Sequence, residues 1–158
     1  MEEIGAEQHA LFRRWPSGVS VVVAELDGRR AGLTVSSLLS LSLSLTPSLV
    51  GVSIARDASL FEVLCGAGEW GVSILRGDQD HLAQHFSRSV PPIALWDDIP
   101  VREDDRRLLA GAIGWIVART IEELPVGDHR FFVGEVLSLE LGEAGFSLVH
   151  LDRRYSAL

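Results

Sequence analysis

The chain has 158 residues, the length of one ordinary domain, and its 47% hydrophobic and 23% charged residues are typical of a globular protein. Its net charge of −8 at pH 7 repels a phosphodiester backbone, which argues against nucleic-acid binding. The single cysteine, Cys65, excludes an internal disulfide and suits a reducing cytoplasm. The start of the chain is acidic rather than signal-like, and no apolar run reaches the roughly 18 residues of a membrane span. We therefore expect residues 1–158 to form a single cytoplasmic domain.

The first third of the chain predicts one helix and three strands. A partly apolar helical pattern covers residues 2–15 and is stopped by Pro16 and Gly18. The β-branched run 18–26 predicts a strand, and the sequence DGRR after it predicts a hairpin turn. The returning strand is predicted at residues 31–37, and the third strand at residues 48–55.

The rest of the chain predicts two more helices among further strands. The helices are predicted at 58–68 and 77–87; in the second, Asp78 is a suitable N-cap and Leu82 and Phe86 lie four residues apart. Strands are predicted at residues 69–75, 108–124, 129–141 and 146–155, with a proline-containing loop at 89–107. Six or seven mostly antiparallel strands with two or three short helices predict a mainly β protein, a closed or split barrel.

An uncharged segment, residues 31–47, is rich in hydroxyl groups. They belong to Thr34, Ser36, Ser37, Ser40, Ser42 and Ser44. The two-residue period of a strand places all of them except Ser37 on one face, opposite a row of leucines. Two interpretations stay open: an edge strand with a polar outer face, or an anion site in which hydroxyls and backbone N–H groups hold a phosphate without lysine. The glycine-rich nucleotide loops GxGxxG and GxxxxGK[ST] are absent from the sequence.

Several short motifs follow one another in a specific order. They are WPSGV at 15–19, TVSS at 34–37, DQxxLAxxF at 78–86, GDH at 127–129, FxGEV at 132–136 and a closing tyrosine, Tyr155. Each motif is weak alone, but their order and spacing resemble the flavin reductase family over nearly the whole chain. These are split-barrel, FMN-binding reductases that supply reduced flavin to two-component monooxygenases.

The resemblance implies an FMN-binding split β-barrel of Greek-key topology that forms a homodimer. It implies hydride transfer from NADH or NADPH to FMN or FAD, with the reduced flavin passing to a partner flavin-dependent monooxygenase. It assigns flavin binding to Thr34, Ser36, Ser37, Ser53, Ala55, Arg56, Ser59 and Phe86. It assigns nicotinamide binding to His129 and Tyr155, with His129 as the catalytic residue.

Alternatives remain for several of these residues. The sequence GDH is also typical of a plain β-turn, and Tyr155 of a core aromatic residue. His81 and His85 have the i, i+4 spacing of metal ligands, but the sequence offers no completing ligands, which favours a surface or core pair. A repeated Leu-Ser pair after Ser37 adds two residues to the family pattern, and an even insertion keeps side chains on their faces.

Two other functions fit the same barrel. One is a flavoprotein oxidase or oxygenase that keeps its FMN bound. The other is a non-catalytic flavin carrier or sensor that binds flavin without hydride chemistry. Both would retain the flavin residues, and only the reductase requires His129 for nicotinamide turnover.

Overall fold

The computed structural model describes residues 2–42, 46–88 and 92–158, and Ser44 of the hydroxyl-rich segment lies outside these ranges. The helices there are α1 (Glu2–Phe12), α2 (Phe61–Ala67) and α3 (Asp80–Ser87). The strands are β1 (Ser17–Gly18), β2 (Ser20–Leu26), β3 (Arg29–Val35), β4 (Leu39–Ser42), β5 (Leu49–Ala55), β6 (Glu69–Ile74), β7 (Gly114–Val126), β8 (His129–Leu141), β9 (Leu148–Leu151) and β10 (Arg154–Ala157).

Seven of the strands form one antiparallel sheet, in the order β3-β2-β6-β7-β8-β5-β4. Strands β3 and β4 lie at opposite edges of this sheet, although only residues 36–38 separate them. Four Cα steps reach at most about 14 Å, so the two edges must lie side by side and the sheet must curl into a barrel. No ladder joins β3 to β4 among the described residues, which leaves a seam between them. The predicted mainly β barrel is confirmed.

Strand β2 shows how the sequence builds the barrel on two faces. Its side chains alternate, so that Val22 and Ala24 join a core cluster inside the barrel, while Val21 and Val23 join a second cluster outside it. All four are completely buried, because α2 closes the inner cluster and α3 covers the outer one. Burying each valine stabilises the fold by about 1.5–3 kcal/mol relative to leaving it exposed. A continuous valine run therefore marks a strand covered on both sides.

Helix α3 lies where the sequence predicts it, but its start is capped differently. Leu82 and Phe86 are buried, as their spacing predicts. The N-cap position belongs to Gln79, without a capping side chain, so the assignment to Asp78 was wrong. The Asp78 carboxylate instead accepts a hydrogen bond from Arg76 Nε at 2.9 Å. At the barrel, a Cβ on Gly32 would lie 2.9 Å from the Phe86 ring, so α3 packs closely on β3.

Three predicted strand boundaries differ in the structure. The strand predicted at 108–124 begins only at Gly114, because residues before it turn to place the Leu109 N–H on Ser73 Oγ at 2.8 Å. The strand predicted at 18–26 divides into β1 and β2, which join different sheets. The strand predicted at 146–155 is the hairpin β9–β10, with Asp152 and Arg153 at φ 49° and 62°. The hairpin turn predicted after β2 is confirmed, with Asp27 at φ 51° and Gly28 at φ 79°.

The smaller sheet, of order β1-β9-β10, is fixed to the barrel by a ring of backbone hydrogen bonds. Val19 N–H donates to Leu148 O at 3.2 Å, Leu148 N–H to Leu75 O at 3.0 Å, and Leu75 N–H to Val19 O at 3.0 Å. Strand β9 is therefore held against the start of β2.

In the described ranges, no helix is long and apolar enough to cross a membrane.

Candidate active site

The end of β3 lies at the seam of the barrel, and its side chains turn to two different sides. Thr34 and Ser36 line a pocket next to α3 and β9. Ser37 contacts β5 instead: its hydroxyl donates to Ser53 O at 3.0 Å and accepts the Ser53 N–H at 3.1 Å. These two bonds hold the β3–β4 connection against β5 across the seam. Because the Ser37 hydroxyl hydrogen is donated to Ser53 O, it is not available to a ligand.

A charged region adjoins the far end of β5. Ala55 pairs with His129 across the β5–β8 ladder, and Arg56 N–H donates to Asp128 O at 3.0 Å. Arg56 and Ser59 are exposed, and among the described residues Arg56 forms no salt bridge. We call Ala55, Arg56, Ser59, Asp128 and His129 the charged flank; it brings together the loop after β5 and the turn between β7 and β8.

The Asp128 carboxylate orients the His129 ring. His129 Nδ1 lies 2.7 Å from Asp128 Oδ1, and this hydrogen bond, with the attraction of the imidazole, lowers the pKa of Asp128 below its usual value. An ionised carboxylate only accepts, so Nδ1 carries the proton that is donated. A neutral His129 then presents Nε2 as an acceptor. The side chain of His129 is 43% exposed, so Nε2 is accessible to a ligand that donates an N–H group.

The other side of β3 holds a small pocket of about 130 Å³, which we call the aromatic pocket. It is lined by Val19, Thr34, Val35, Ser36, Ser87, His150 and Tyr155. His150 and Tyr155 lie opposite each other in the β9–β10 ladder, with ring centroids 5.4 Å apart. The Thr34 hydroxyl donates to Ala83 O at 2.7 Å and the Ser87 hydroxyl to Gln84 O at 2.8 Å, so both are oriented by α3.

Comparison with known proteins identifies the chain. The model of the flavin reductase like domain matches residues 12–158. The chain belongs to this family. The reductase component of 4-hydroxyphenylacetate 3-monooxygenase from Thermus thermophilus is 40% identical over 146 residues, which cover 92% of this chain and 91% of that protein. The resemblance that the ordered motifs indicated is confirmed.

Solved structures of flavin reductases share the fold. BorF, the flavin reductase component of a bacterial two-component tryptophan halogenase, superposes with a TM-score of 0.87 at 27% identity, over 98% of each chain. The NADH:FAD oxidoreductase SgcE6 from Streptomyces globisporus, solved in complex with NAD and FAD fragments, gives a TM-score of 0.87 at 25% identity, over 98% of this chain and 93% of that one. The predicted barrel class is therefore that of the flavin reductases.

The structure of this flavin reductase family member divides the predicted site residues into three groups. Ser37, Ser53, Ala55, Arg56, Ser59 and His129 follow the β5 side of the seam, and Thr34, Ser36 and Tyr155 line the aromatic pocket. Phe86 belongs to neither side: it is 1% exposed and packs on Gly32 and Trp96 in the outer cluster. A ring so deeply buried has no surface to offer a flavin.

Three exposed donors near the barrel seam fit a flavin nucleotide: Arg56 and Ser59 on the charged flank, and Ser36 beside the aromatic pocket. A phosphate only accepts hydrogen bonds, so it requires cations and donors whose hydrogens are not used elsewhere. Arg56, Ser59 and Ser36 are exposed, and within the described ranges their side chains make no hydrogen bond to the protein. Thr34 and Ser37 already donate to backbone carbonyls. The residues that suit a phosphate are therefore Arg56, Ser59 and Ser36, while Thr34 and Ser37 attach the segment 34–37 to α3 and to β5.

Sequence reasoning missed His150 and Ser87. His150 follows Leu148 by two residues on β9, and the Asp152–Arg153 turn returns the chain so that Tyr155 faces it. Predicting a hairpin at that turn would have placed His150 opposite Tyr155. Asp152 and Arg153, however, are not the glycine or asparagine that usually marks such a turn. Ser87 reaches the pocket only because α3 packs against β3, and no local sequence pattern encodes that packing.

The two histidines on α3 have different surroundings. His85 Nε2 lies 2.7 Å from Leu95 O, so its ring ties α3 to the loop that follows it. His81 is exposed on the helix surface. In residues 2–42, 46–88 and 92–158, no group of three His, Cys, Asp or Glu side chains could hold a metal ion. His85 therefore makes a structural contact, and His81 lies on the surface.

Proposed function

We propose that this chain is an NAD(P)H-dependent flavin reductase that transfers hydride to FMN or FAD and delivers the reduced flavin to a partner monooxygenase. The observation that carries the proposal is the charged flank, where an exposed arginine without a salt bridge in the described ranges adjoins an oriented His129. Phosphate binding and amide recognition are thus available side by side at the barrel seam. The named activities of the family members support the same reaction.

The bound flavin and nicotinamide supply the hydride chemistry themselves. The protein's task is to bind and orient them. The Arg56 guanidinium provides a bidentate, charge-assisted contact for the flavin phosphate, and the Ser59 and Ser36 hydroxyls add donors. His129 Nε2 accepts the N–H of the nicotinamide carboxamide, and Asp128 fixes the tautomer that makes Nε2 an acceptor. Ser37 holds the seam against Ser53 so that both sides keep their spacing.

We also infer that residues 1–158 form one domain that assembles as a homodimer in the cytoplasm. Large apolar side chains are exposed on β8, where Leu139 is 62% and Leu141 is 83% exposed. Exposed apolar surface of this kind is typical of a face that a partner covers. Sedimentation velocity of the purified chain measures the assembly; a single species at the monomer mass would contradict the dimer.

The central test of the proposed function is consumption of NADH and NADPH with FMN and with FAD, followed at the nicotinamide absorbance band. We expect turnover well above the rate of the flavin alone with at least one of the four pairs. No consumption above that rate with any pair would overturn the proposal. Tight flavin binding without turnover would instead indicate a flavin carrier, and retained flavin with oxidation of an organic substrate would indicate an oxidase.

Replacement of His129 tests its role separately. In His129→Ala, we expect the KM for the nicotinamide nucleotide to rise about tenfold, because a hydrogen bond in the binding site is lost, while the flavin Kd changes less than twofold. The matched control is His81→Ala, which removes an exposed imidazole from α3. Equal effects in both variants would exclude a specific role for His129.

A further inference from the structure

Gln79, the second residue of the motif at 78–86, is buried, and no step of the proposed reaction uses it. Its Oε1 accepts the Arg76 N–H at 2.9 Å, and its Nε2 donates to Ala110 O at 2.9 Å. The side chain therefore connects the start of α3 to the backbone that follows β6 and to the backbone that precedes β7. A neutral amide can accept on one atom and donate on the other, whereas an ionised carboxylate only accepts.

A continuous series of hydrogen bonds leads from Gln79 to the end of β3. The backbone carbonyl of Gln79 accepts the Ala83 N–H at 3.2 Å, one helical turn along α3. The Ala83 carbonyl in turn accepts the hydrogen of the Thr34 hydroxyl at 2.7 Å. A movement of the start of α3 would therefore move the carbonyl that orients Thr34 in the lining of the aromatic pocket.

The segment that receives the Gln79 amide is closely fitted to it. Gly111 has φ 78°, and a Cβ at this position would lie 3.3 Å from Gln79 Nε2, so glycine permits both the turn and the close approach. The neighbouring residue Leu109 is bound separately, because its N–H donates to Ser73 Oγ at 2.8 Å. Ser73 lies on β6, so it fixes the same segment through the barrel rather than through α3.

We propose that Gln79 is a positioning residue: its side-chain amide sets where α3 lies against β3, and through Thr34 it sets the affinity of the aromatic pocket for the nicotinamide nucleotide. This inference rests on the proposed function, for which the resemblance assigns Tyr155 of that pocket to nicotinamide. Gln79 itself does not line the pocket. Its loss should therefore change KM and leave kcat nearly unchanged.

The kinetic experiment compares Gln79→Met, which keeps the length of the side chain and removes both hydrogen bonds, with the matched control Ser73→Ala. Both variants should unfold at a lower urea concentration than the wild type, because each leaves buried backbone groups unpaired. Only Gln79→Met should raise the KM for NADH, by about 3- to 10-fold with kcat within about twofold. Equal KM values in the two variants would overturn the proposal, since Gln79 would then only stabilise the fold.

Gln79→Glu tests the donated hydrogen bond to Ala110 by itself. Burial raises the pKa of the new carboxyl above that of an ordinary glutamate, and only the protonated form can donate. The KM for NADH should therefore be close to that of the wild type at about pH 6 and approach that of Gln79→Met by about pH 9. Gln84→Glu, which adds the same group at a half-buried position of α3, should follow the wild type. A ratio of Gln79→Glu to wild-type KM that is the same at both pH values would contradict the proposal.

A third measurement does not depend on turnover. Amide hydrogen exchange is compared in Gln79→Met, Ser73→Ala and the wild type at residues 80–87 of α3 and at residues 34–37. Faster exchange in both segments of Gln79→Met alone supports the role of Gln79, even if the wild type consumes no NADH and the proposed function fails. Unchanged exchange at residues 34–37 would overturn the proposal, because α3 would then not pass the effect of Gln79 to β3.

Discussion

The charged flank and the aromatic pocket lie on either side of the same short segment, residues 34–37, and they differ in burial, charge and hydrogen bonding. The charged flank is exposed and carries Arg56, Asp128 and His129. The aromatic pocket is half-buried, has no carboxylate or guanidinium in its lining, and offers acceptors oriented by α3. The charged flank carries a guanidinium that suits an anion, whereas the lining of the aromatic pocket carries none.

The difference shows how one strand end can have two chemically distinct surroundings. Side chains of a strand alternate between its faces, so Thr34 and Ser36 meet α3 and β9 while Ser37 meets β5. The hydroxyls are alike in the sequence, and their surroundings give them different roles. A nucleotide contains both charged phosphates and flat uncharged rings, which matches this division.

The largest expected effect that separates the two sides comes from Arg56→Ala. We expect the Kd for FMN to rise roughly 10- to 100-fold, because a charge-assisted hydrogen bond is worth about 1.5–3 kcal/mol. Riboflavin, which has no phosphate, should bind the variant and the wild type equally. Fluorescence quenching of both flavins measures this, with Arg14→Ala as an exposed arginine control. An equal loss for riboflavin and FMN would show that Arg56 does not act on the phosphate.

A smaller effect is expected from Gly32→Ala, which disturbs the aromatic pocket alone. The new methyl group would lie 2.9 Å from the Phe86 ring and force α3 away from β3, loosening the Thr34–Ala83 hydrogen bond. We expect a loss of about 1–2 kcal/mol in the free energy of unfolding, measured in urea.

The matched control for Gly32→Ala is Gly5→Ala in α1, where a Cβ meets nothing within 4 Å and alanine favours a helix. Nicotinamide-nucleotide binding should weaken in Gly32→Ala, while the preference for FMN over riboflavin stays intact. If that preference disappeared instead, the two sides would not be independent.

The smallest effect concerns Cys65, whose Sγ lies 3.3 Å from Arg130 Nη1, while the same Nη1 donates to Glu123 Oε2 at 2.8 Å. Burial, together with the nearby Glu123 charge, raises the pKa of the Cys65 thiol. The reactive thiolate therefore forms at a higher pH than it does in an ordinary cysteine. Iodoacetamide should therefore label the folded protein at pH 8 several-fold more slowly than the urea-unfolded protein. Glu123→Gln removes a charge that raises the pKa, and labelling should become faster. Unchanged labelling would mean that Glu123 does not act on the thiol.

The sequence was sufficient for most of the strands, because their β-branched runs and turn residues report local structure. The turn at Asp27 and Gly28 is an example: two residues at positive φ, in a sequence that favours them. The N-cap at Asp78 failed because the carboxylate pairs with Arg76, a competition between two local partners that spacing alone cannot rank. The hairpin turn at Asp152 and Arg153 was missed for a related reason, since both residues adopt positive φ without a glycine.

The sequence names candidate site residues but not their arrangement. The hydroxyl pattern drew attention to the segment 34–37, and its role in binding stays a prediction. The destinations of those hydroxyls, Ala83 and Ser53, depend on how α3 and β5 pack, and no local pattern encodes that. For the same reason Phe86 was assigned to the flavin, although the packing of α3 on Gly32 buries it.

In the described ranges no ladder joins β3 to β4, and this seam also bears on how the barrel opens locally. Neighbouring strands elsewhere in the barrel are joined by ladders of backbone hydrogen bonds. At the seam, the two hydrogen bonds between Ser37 and Ser53 hold the β3–β4 connection instead. A nucleotide that spans from Ser36 to Arg56 would connect the two sides of this seam. Its binding energy would then stabilise both sides against local unfolding. Amide hydrogen exchange at residues 36–42 should slow when flavin is added, whatever its redox state.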